Sequence, residues 1–324
     1  MVKWGVLGLG KIAKKFVSDL AMVSNAELHA VASRSVDKAK AFAQEFNAKN
    51  TYGSYQELFN DKDVQVIYIA TPHQNHSELS IQAMQHGKHV LCEKPLGVNA
   101  KQVKAMIAAS VKNDVFLMEG LWSRFNPTIK KIKELIAKGE IGDLRYLYAN
   151  FAFYALDRDK NGRLLNPELA GGSLLDIGIY PIFLAYLFLG KPDAIMATSN
   201  FYETGAEIQT SMIFSYANAQ AMLNSGLSSN SDSIAEFSGS KGSILVPKRW
   251  HEAEGYAIQK DGISTSFSLP LKGVGFTYEI EEVQQCILED KKESSLWTHK
   301  NSLELAELLD AVRKQAGVVF PFEE

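Results

Sequence analysis

A regular alternation of short apolar runs with amphipathic stretches constrains the fold of residues 1–120 more than any other feature of this chain. The run "VKWGVLGLG" precedes "KIAKKFVSDLAMV", in which Ile12, Phe16 and Leu20 fall on one helical face. Four further apolar runs follow, separated by helical segments: "AELHAVASR", "VQVIYIAT", "HVLCE" and "VFLMEG". Nearly continuous apolar strands that alternate with helices predict an α/β fold with a doubly wound parallel sheet.

The pattern changes after residue 120. The segment "NPTIKKIKELIAKG" reads as a helix with Asn126 as its cap and Pro127 at its first position. From about residue 142 the chain is rich in strands without helices between them, which predicts an α+β domain with a large open, mostly antiparallel sheet. Since 324 residues are many for one core, we predict two domains at residues 1–121 and 122–324, with the last helix of the second packing back on the first.

Two segments of the predicted antiparallel sheet, "RYLYANFAFYA" and "TSMIFSYANAQAMLNSGL", are apolar at nearly every position. A sheet with one face on helices and the other in water would alternate apolar and polar residues, so a second buried face is implied. We therefore predict a homodimer that forms through this sheet.

Composition excludes several classes of function. The formal net charge is −3 and no basic run is interleaved with aromatic residues, so nucleic acid is not an expected partner. No apolar run approaches the ~20 residues that cross a bilayer, so we expect no membrane partner. The two cysteines, Cys92 and Cys286, fit a reducing compartment better than a disulfide framework, which predicts a cytoplasmic location.

The first predicted strand ends in a glycine motif. The sequence Gly8-Leu9-Gly10-Lys11-Ile12-Ala13 fits G-x-G-x-x-G/A, follows a strand and opens a helix, as a dinucleotide-binding turn requires. The glycines let a pyrophosphate approach the backbone at the helix N-terminus. A glycine-rich turn without a ligand is the alternative reading. We predict that residues 8–12 bind the cofactor.

The end of the second strand indicates which dinucleotide binds. An NAD-binding site places a carboxylate here for the ribose 2′-hydroxyl, whereas this chain has Ser33 and Arg34, with Lys38 one turn further on. A hydroxyl and two cations favour the 2′-phosphate of NADP over NAD. A solvated basic helix start is the alternative reading.

Two further segments carry ionisable groups in places that suit catalysis. Lys94, in "CEKPLG", follows a strand at its carboxyl end, where ligands bind in doubly wound sheets. Asp176 and Tyr180, in "GGSLLDIGIYPI", are four residues apart and would share one face of a helix. A buried tyrosine satisfied by Asp176 is the structural alternative.

Five motifs occur in order along most of the chain: the glycine motif, "TPHQNH", "CEKP", "EGLWSRFNP" and "GGSLLDIGIYP". Together they resemble the Gfo/Idh/MocA oxidoreductase family, and the fourth and fifth resemble its branch of dimeric dihydrodiol dehydrogenases and NADP-dependent D-xylose dehydrogenases. Many members of the family carry histidine where this chain has Tyr180, which argues against inositol-type or glucose–fructose-type substrates.

The resemblance implies a Rossmann domain followed by an open-sheet domain, with the nicotinamide at their interface. It implies that Glu93, Lys94 and Pro95 hold the nicotinamide and substrate, with a cis Lys-Pro bond. It also implies that further residues contact the cofactor: Thr71, Pro72, His73, Asn75, His76, Trp122 and Arg124. Of these, Trp122 and Arg124 would contact the substrate as well.

We therefore expect an NADP-dependent oxidoreductase that transfers a hydride between nicotinamide and a sugar, aldose or cyclic diol. Tyr180 would act as the general acid/base, Lys94 would lower its pKa, and Asp176 would orient the substrate or the pair. A non-catalytic, NADP-binding redox-sensing regulator is an alternative. A glycosidase that uses tightly bound NAD transiently during glycoside cleavage is another alternative, although Ser33 argues against it. The pairs His73/His76 and His86/His89 lack the spacing and partner ligands of metal sites, so we expect no metal.

Overall fold

The computed structural model of the chain describes residues 1–323. These residues form two compact units. One comprises Met1–Arg124 with Lys272–Leu303, and the other comprises Phe125–Leu271 with the stretch that begins at Glu304. The helix at residues 277–288 thus lies in the first unit, and the functional division into residues 1–121 and 122–324 stays a prediction.

The first unit contains a six-stranded parallel sheet with the order β3-β2-β1-β4-β5-β6. This confirms the predicted Rossmann sheet. The strand order reverses between β1 and β4, and ligands of such sheets bind outside the carboxyl ends of the strands at that point. The strands are β1 Val2–Leu7, β2 Ala26–Ala32, β3 Asn50–Tyr52, β4 Val66–Ile69, β5 His89–Glu93 and β6 Leu117–Gly120.

Six helices accompany this sheet. Their ends follow ordinary capping rules: Ser35 accepts a hydrogen bond from the backbone N–H of Lys38 and so caps α2, as the sequence predicts. The helices are α1 Lys11–Leu20, α2 Val36–Phe46, α3 Tyr55–Asn60, α4 His76–Gln85, α5 Ala100–Asn113 and α8 Thr277–Leu288.

A buried carboxylate of α1 fixes the turn that leads into α8. Asp19, near the end of α1, accepts hydrogen bonds of 2.8–3.1 Å from the backbone N–H groups of Val274, Gly275 and Phe276. These residues precede Thr277, the first residue of α8, so the acid holds the turn at the entry to the helix. Sequence periodicity cannot show this contact because its partners are more than 250 residues apart.

The second unit contains an eight-stranded sheet with the order β14-β13-β12-β11-β7-β10-β9-β8. Among the described strands of this sheet only the β7–β10 pair is parallel, which confirms the predicted mostly antiparallel sheet. The strands are β7 Leu144–Ala152, β8 Ala194–Phe201, β9 Glu207–Tyr216, β10 Ala219–Gly226, β11 Ala235–Gly239, β12 Gly242–Val246, β13 Gly255–Lys260 and β14 Ile263–Ser268. The remaining helices are α6 Pro127–Ala137, α7 Ile179–Leu189 and α9 His299–Ala316.

One face of this sheet is buried and the other carries an apolar row. In β9, Met212 and Phe214 are buried whereas Ser211 is exposed, so the strand alternates although its sequence reads as nearly uniform. On the open face, strand pairing aligns one row of side chains across six strands. A polar row lies on each side of this row. From β12 to β8 the central row runs Leu245, Glu236, Tyr148, Met222, Ile213 and Met196, and it is apolar at every position except Glu236.

No helix within residues 1–323 has both the length and the apolar character that spanning a bilayer would need.

Candidate active site

The turn after β1 is held against the end of β4. Gly8 has φ +87°, and a Cβ on it would lie 2.3 Å from the carbonyl carbon of Ala70 and 2.6 Å from the nitrogen of Thr71. Both the conformation and the close approach therefore require glycine. Gly10 faces open space, since its Cβ would meet only the oxygen of Gly8, at 4.0 Å.

The residues at this turn fit a bound dinucleotide. Helix α1 begins after Gly10 without a side-chain cap, so its first N–H groups point to a place that an anion can take. Beside it, the buried hydroxyl of Thr71 and the side-chain oxygen of Gln74 have no hydrogen-bond partner among the described residues. Buried polar atoms are normally paired, so both indicate a polar ligand. Leu9 is buried, Ile12 is partly buried and Lys11 is exposed.

The residues predicted to select the cofactor lie at the end of β2. The Ser33 hydroxyl accepts a hydrogen bond from the N–H of Ser35 at 3.2 Å. Arg34 and Lys38 are exposed, and neither pairs with a carboxylate of residues 1–323. Two cations on one rim can thus bind an anionic ligand.

His76 connects two of the predicted motifs. Its ring is fully buried, with Nδ1 2.8 Å from the carbonyl oxygen of Pro95 and Nε2 2.8 Å from that of Thr71. Burial lowers the pKa of His76, whereas the two carbonyl acceptors favour the charged ring. The imidazole thus lies between the end of β4 and the segment that follows β5, within hydrogen-bond distance of both. The Lys94–Pro95 peptide bond is cis, as the resemblance implies.

A buried glutamate holds the other side of the Lys94 segment. Glu119, in β6, accepts hydrogen bonds from the Leu96 N–H at 2.9 Å, the Trp297 indole N–H at 3.1 Å and the Ser302 hydroxyl at 2.8 Å. Burial raises the pKa of Glu119, and these hydrogen bonds and the charge of Lys94 oppose that shift. Nothing in the spacing of "MEGLW" indicates these partners.

Glu93 is also buried, and its carboxylate accepts a hydrogen bond of 2.5 Å from the Tyr68 hydroxyl. Burial and the nearby Glu93 charge raise the pKa of Tyr68 well above its ordinary value. The backbone on both sides of Lys94 is therefore fixed, whereas Lys94 itself is partly exposed. This arrangement presents one cation at the carboxyl end of β5.

Trp122 and Arg124 are both buried and have structural partners within the first unit. The Trp122 ring stacks on Phe276 at 4.8 Å between centroids, and the Arg124 Nε donates to the carbonyl oxygen of Leu296 at 2.8 Å. Burial lowers the pKa of Arg124. Their predicted contacts to cofactor and substrate stay predictions, as do those of Pro72, His73 and Asn75.

In the second unit, Asp176 lies in a π-helical turn, Leu174–Gly178, that runs into α7. The sequence predicts a helix start here, and the structure has one whose first turn is of the π type. Such turns are frequent at functional sites. Asp176 and Tyr180 are both buried.

A second buried glutamate fixes the entry to this turn. Glu207, in β9, accepts hydrogen bonds from the Ser173 hydroxyl, the Leu174 N–H and the Thr210 hydroxyl at 2.6–2.7 Å. Burial raises the pKa of Glu207, and the hydrogen bonds oppose that shift. Gly172 has φ +139°, and a Cβ there would meet the Glu207 backbone oxygen at 3.1 Å.

Arg163 is one partner of Asp176 in this unit. The Arg163 Nη1 donates to Asp176 Oδ1 at 2.6 Å; the arginine side chain is 53% exposed and the carboxylate 9%. Asp176 is therefore paired with the exposed guanidinium of Arg163, which has five N–H donors. Sequence reasoning missed Arg163 because the loop that carries it has no periodic pattern.

Aromatic rings surround Tyr180. Its ring centroid lies 5.5 Å from Phe151, 5.7 Å from His251 and 6.4 Å from Trp250. Phe151 and His251 stack on each other at 4.0 Å. The Trp250 indole N–H donates to the carbonyl oxygen of Asn150 at 3.0 Å, which anchors this group to β7. These ring contacts fix the position of the Tyr180 ring.

One cluster in residues 1–323 has metal-ligand geometry, and it lies away from these motifs in sequence: His29, Asp61 and Asp63. Asp61 already accepts a hydrogen bond from Tyr52, and Asp63 pairs with Lys3 at 2.6 Å. These partners satisfy the acids, so the cluster reads as an ion-pair network. The expectation of no metal stays a prediction.

Comparison with known proteins assigns the family. Residues 2–121 match the model of an oxidoreductase family with an NAD-binding Rossmann fold, and residues 129–245 match the Gfo/Idh/MocA C-terminal domain. The chain belongs to the Gfo/Idh/MocA oxidoreductase family. The predicted family, the oxidoreductase class and the nicotinamide dinucleotide cofactor are thereby confirmed.

Relatives of the chain cover its full length. A trans-1,2-dihydrobenzene-1,2-diol dehydrogenase of Xenopus tropicalis is 37% identical, covering 98% of this chain and 99% of that protein. The NADP(+) scyllo-inositol 2-dehydrogenase IolU of Bacillus subtilis is 34% identical over the whole of both. The structure of KijD10, a 3-ketoreductase from Actinomadura kijaniata in complex with NADP and TDP-benzene, matches with a TM-score of 0.89 at 27% identity, covering 97% and 98%.

Proposed function

We propose that the chain is an NADP-dependent dehydrogenase or reductase that acts on a CH–OH group of a sugar, aldose or cyclic diol. The observation that carries the proposal is the turn at Gly8, where an uncapped helix start lies beside the unpartnered hydroxyl of Thr71. The substrate class rests on the relatives, which are named for a dihydrodiol and for scyllo-inositol. The relation to IolU also weakens the argument, drawn from Tyr180, against inositol-type substrates.

We assign NADP rather than NAD because of the charges at the end of β2. Exposed Arg34 and Lys38 supply two cations for a 2′-phosphate, and Ser33 supplies a hydroxyl where a carboxylate would repel it. The relative IolU is named for NADP(+), and KijD10 was solved with NADP. Bound NADP would supply the hydride acceptor in oxidation and the hydride donor in reduction.

Oxidation of the substrate alcohol requires that its hydroxyl proton leave as the hydride leaves carbon, which yields a carbonyl and a reduced cofactor. We assign proton transfer to Tyr180 and assistance to Lys94, whose positive charge favours the phenolate. Asp176, paired with Arg163, orients a substrate hydroxyl. In the reverse direction the same phenol donates the proton to the nascent alkoxide.

The remaining site residues are proposed as contacts to the cofactor or the substrate. Glu93 and Pro95 hold the Lys94 segment, and the others line the cofactor: Gly8, Leu9, Gly10, Lys11, Ile12, Thr71, Pro72, His73, Asn75, His76, Trp122 and Arg124. We place the enzyme in the cytoplasm, since Cys92 and Cys286 are free thiols.

Replacement of Tyr180 and of Lys94 tests the proposed mechanism. Tyr180→Phe and Lys94→Met should each lower kcat by about 10²–10⁴-fold, while the Kd for NADP, measured by fluorescence quenching, stays near that of the wild type. Lys94→Met should also move the rise of kcat with pH to higher pH. Tyr186→Phe, on the same helix, is the matched control and should retain kcat. A Tyr180→Phe enzyme with normal kcat would return Tyr180 to a packing role.

We further propose a homodimer that buries the open face of the eight-stranded sheet. The carrying observation is the apolar row, in which Met222 is 45% exposed and Met196 65% exposed. Contiguous apolar surface of this kind marks interaction sites. Met222→Lys should shift the mass in light scattering from dimer to monomer, whereas Val111→Lys, an exposed apolar residue on α5, should not. A wild-type monomer at micromolar concentration would exclude the proposal.

A further inference from the structure

We infer that Glu119 is a positioning residue that sets the place of Lys94 in the reaction. The inference rests on the proposed function, in which Lys94 assists Tyr180. Glu119 is only 3% exposed and lies in β6, directly opposite Cys92 of β5 and so two residues from Lys94 in the paired strand. Its role is therefore tied to the segment that carries the cation.

The hydrogen bonds of Glu119 favour its ionised form. Three donors surround the two carboxylate oxygens: the Leu96 N–H points to Oε1, and the Trp297 indole N–H and the Ser302 hydroxyl point to Oε2. All three donors favour the carboxylate and oppose the burial that raises the pKa of Glu119. The ionised form satisfies all three.

The geometry connects two distant parts of the first unit. Leu96 lies two residues beyond Lys94, whereas Trp297 and Ser302 come from the segment Lys272–Leu303. The Glu119 carboxylate thus holds the segment that carries Lys94 against the segment Lys272–Leu303. His76 contacts the Lys94 segment as well, at the carbonyl oxygen of Pro95. The backbone on the carboxyl side of Lys94 is therefore held at two points, the Leu96 N–H and the Pro95 carbonyl oxygen.

Loss of the carboxylate should therefore displace the ammonium of Lys94 without removing a contact to the cofactor. In Glu119→Gln the amide N–H₂ replaces one acceptor and opposes at least one of the three donors. A displacement on the order of 1 Å at a reacting group lowers a rate by up to about 10²-fold. We expect kcat to fall by about 10–100-fold, with the KM for the substrate and the Kd for NADP within about twofold of the wild type.

Glu279→Gln is the matched control. Glu279 is another fully buried acid of the first unit, and both of its oxygens lack a hydrogen-bond partner among the described residues. Burial and the nearby charges of Glu93 and Asp19 raise its pKa well above the ordinary value, and glutamine keeps the size and shape of the side chain. We expect its kcat to stay within about twofold of the wild type, since it does not hold the Lys94 segment.

A double-mutant cycle with Lys94→Met tests the inference, with rates measured in single turnovers at excess enzyme. If Glu119 acts through Lys94, Glu119→Gln changes the rate of the Lys94→Met enzyme by less than about twofold. An equal fold-loss in both backgrounds, or a normal rate for Glu119→Gln alone, overturns it. Should Glu119→Gln not fold, Ser302→Ala decides through the same cycle, with an expected two- to fivefold loss only when Lys94 is present. A fully active Lys94→Met enzyme would instead refute the proposed function.

Discussion

The turn after β1 and the π-helical turn before α7 carry the two halves of the proposed chemistry, and they are built differently. At the first, the backbone of consecutive residues makes the site, with Gly8 packed on Ala70 and a helix start left open. At the second, side chains from separate segments make it, with Asp176 paired to Arg163 and Tyr180 among aromatic rings. A site made of backbone follows a short motif, whereas a site made of side chains depends on the whole fold of its unit.

The largest expected effect is the difference in stability between alanine variants of Gly8 and Gly10, the two glycines of the first turn. Gly8→Ala places a Cβ 2.3 Å from a carbonyl carbon at φ +87° and should cost about 2–4 kcal/mol of stability in urea unfolding, together with NADP binding. Gly10→Ala should keep stability within about 0.5 kcal/mol, because its Cβ meets only an oxygen at 4.0 Å, yet weaken NADP binding. An equal loss of stability in both variants would show that the backbone conformation and close packing at Gly8 do not set it apart from Gly10.

A second test concerns the side chains that surround this backbone site. The double variant Ser33→Asp with Arg34→Leu should reverse cofactor preference, lowering affinity for NADP by about 10–100-fold while NAD binding is retained or improved. The ratio of kcat/KM for the two cofactors measures it. Lys40→Leu, an exposed cation on the same helix as Lys38, is the control. A wild-type enzyme that uses both cofactors equally would contradict the assignment.

The smallest expected effect probes the second turn. Arg163→Leu should lower kcat/KM by about tenfold, because it removes a partner of a nearly buried carboxylate. It should change stability by less than about 1 kcal/mol, since the guanidinium is half exposed and water screens the pair. Lys160→Leu, which breaks the exposed pair with Glu203 in the same loop, should leave kcat/KM unchanged. If both variants lose activity alike, the loop matters as a whole and Arg163 has no separate role.

The two buried glutamates show why part of each site escapes sequence reasoning. Glu119 and Glu207 each accept three hydrogen bonds and each hold a functional segment, the one after Lys94 and the one before Asp176. In sequence each is a single acid in a strand, with donors between 3 and 183 positions away. Only the packing of the unit brings the donors together, because a buried carboxylate without them would be too costly to keep.

The sequence by itself determined the parallel sheet, the antiparallel sheet, the glycine turn and the segments that carry Lys94 and Tyr180. These follow from periodicity and from local backbone requirements such as the positive φ of Gly8, which act between neighbours in the chain. Tertiary structure alone decided the π turn at Asp176, the pairing with Arg163, the contact of Asp19 with the turn before α8 and the two glutamate anchors. Each of these depends on polar groups that meet only after distant segments are buried together, and burial without a partner is what makes such meetings obligatory.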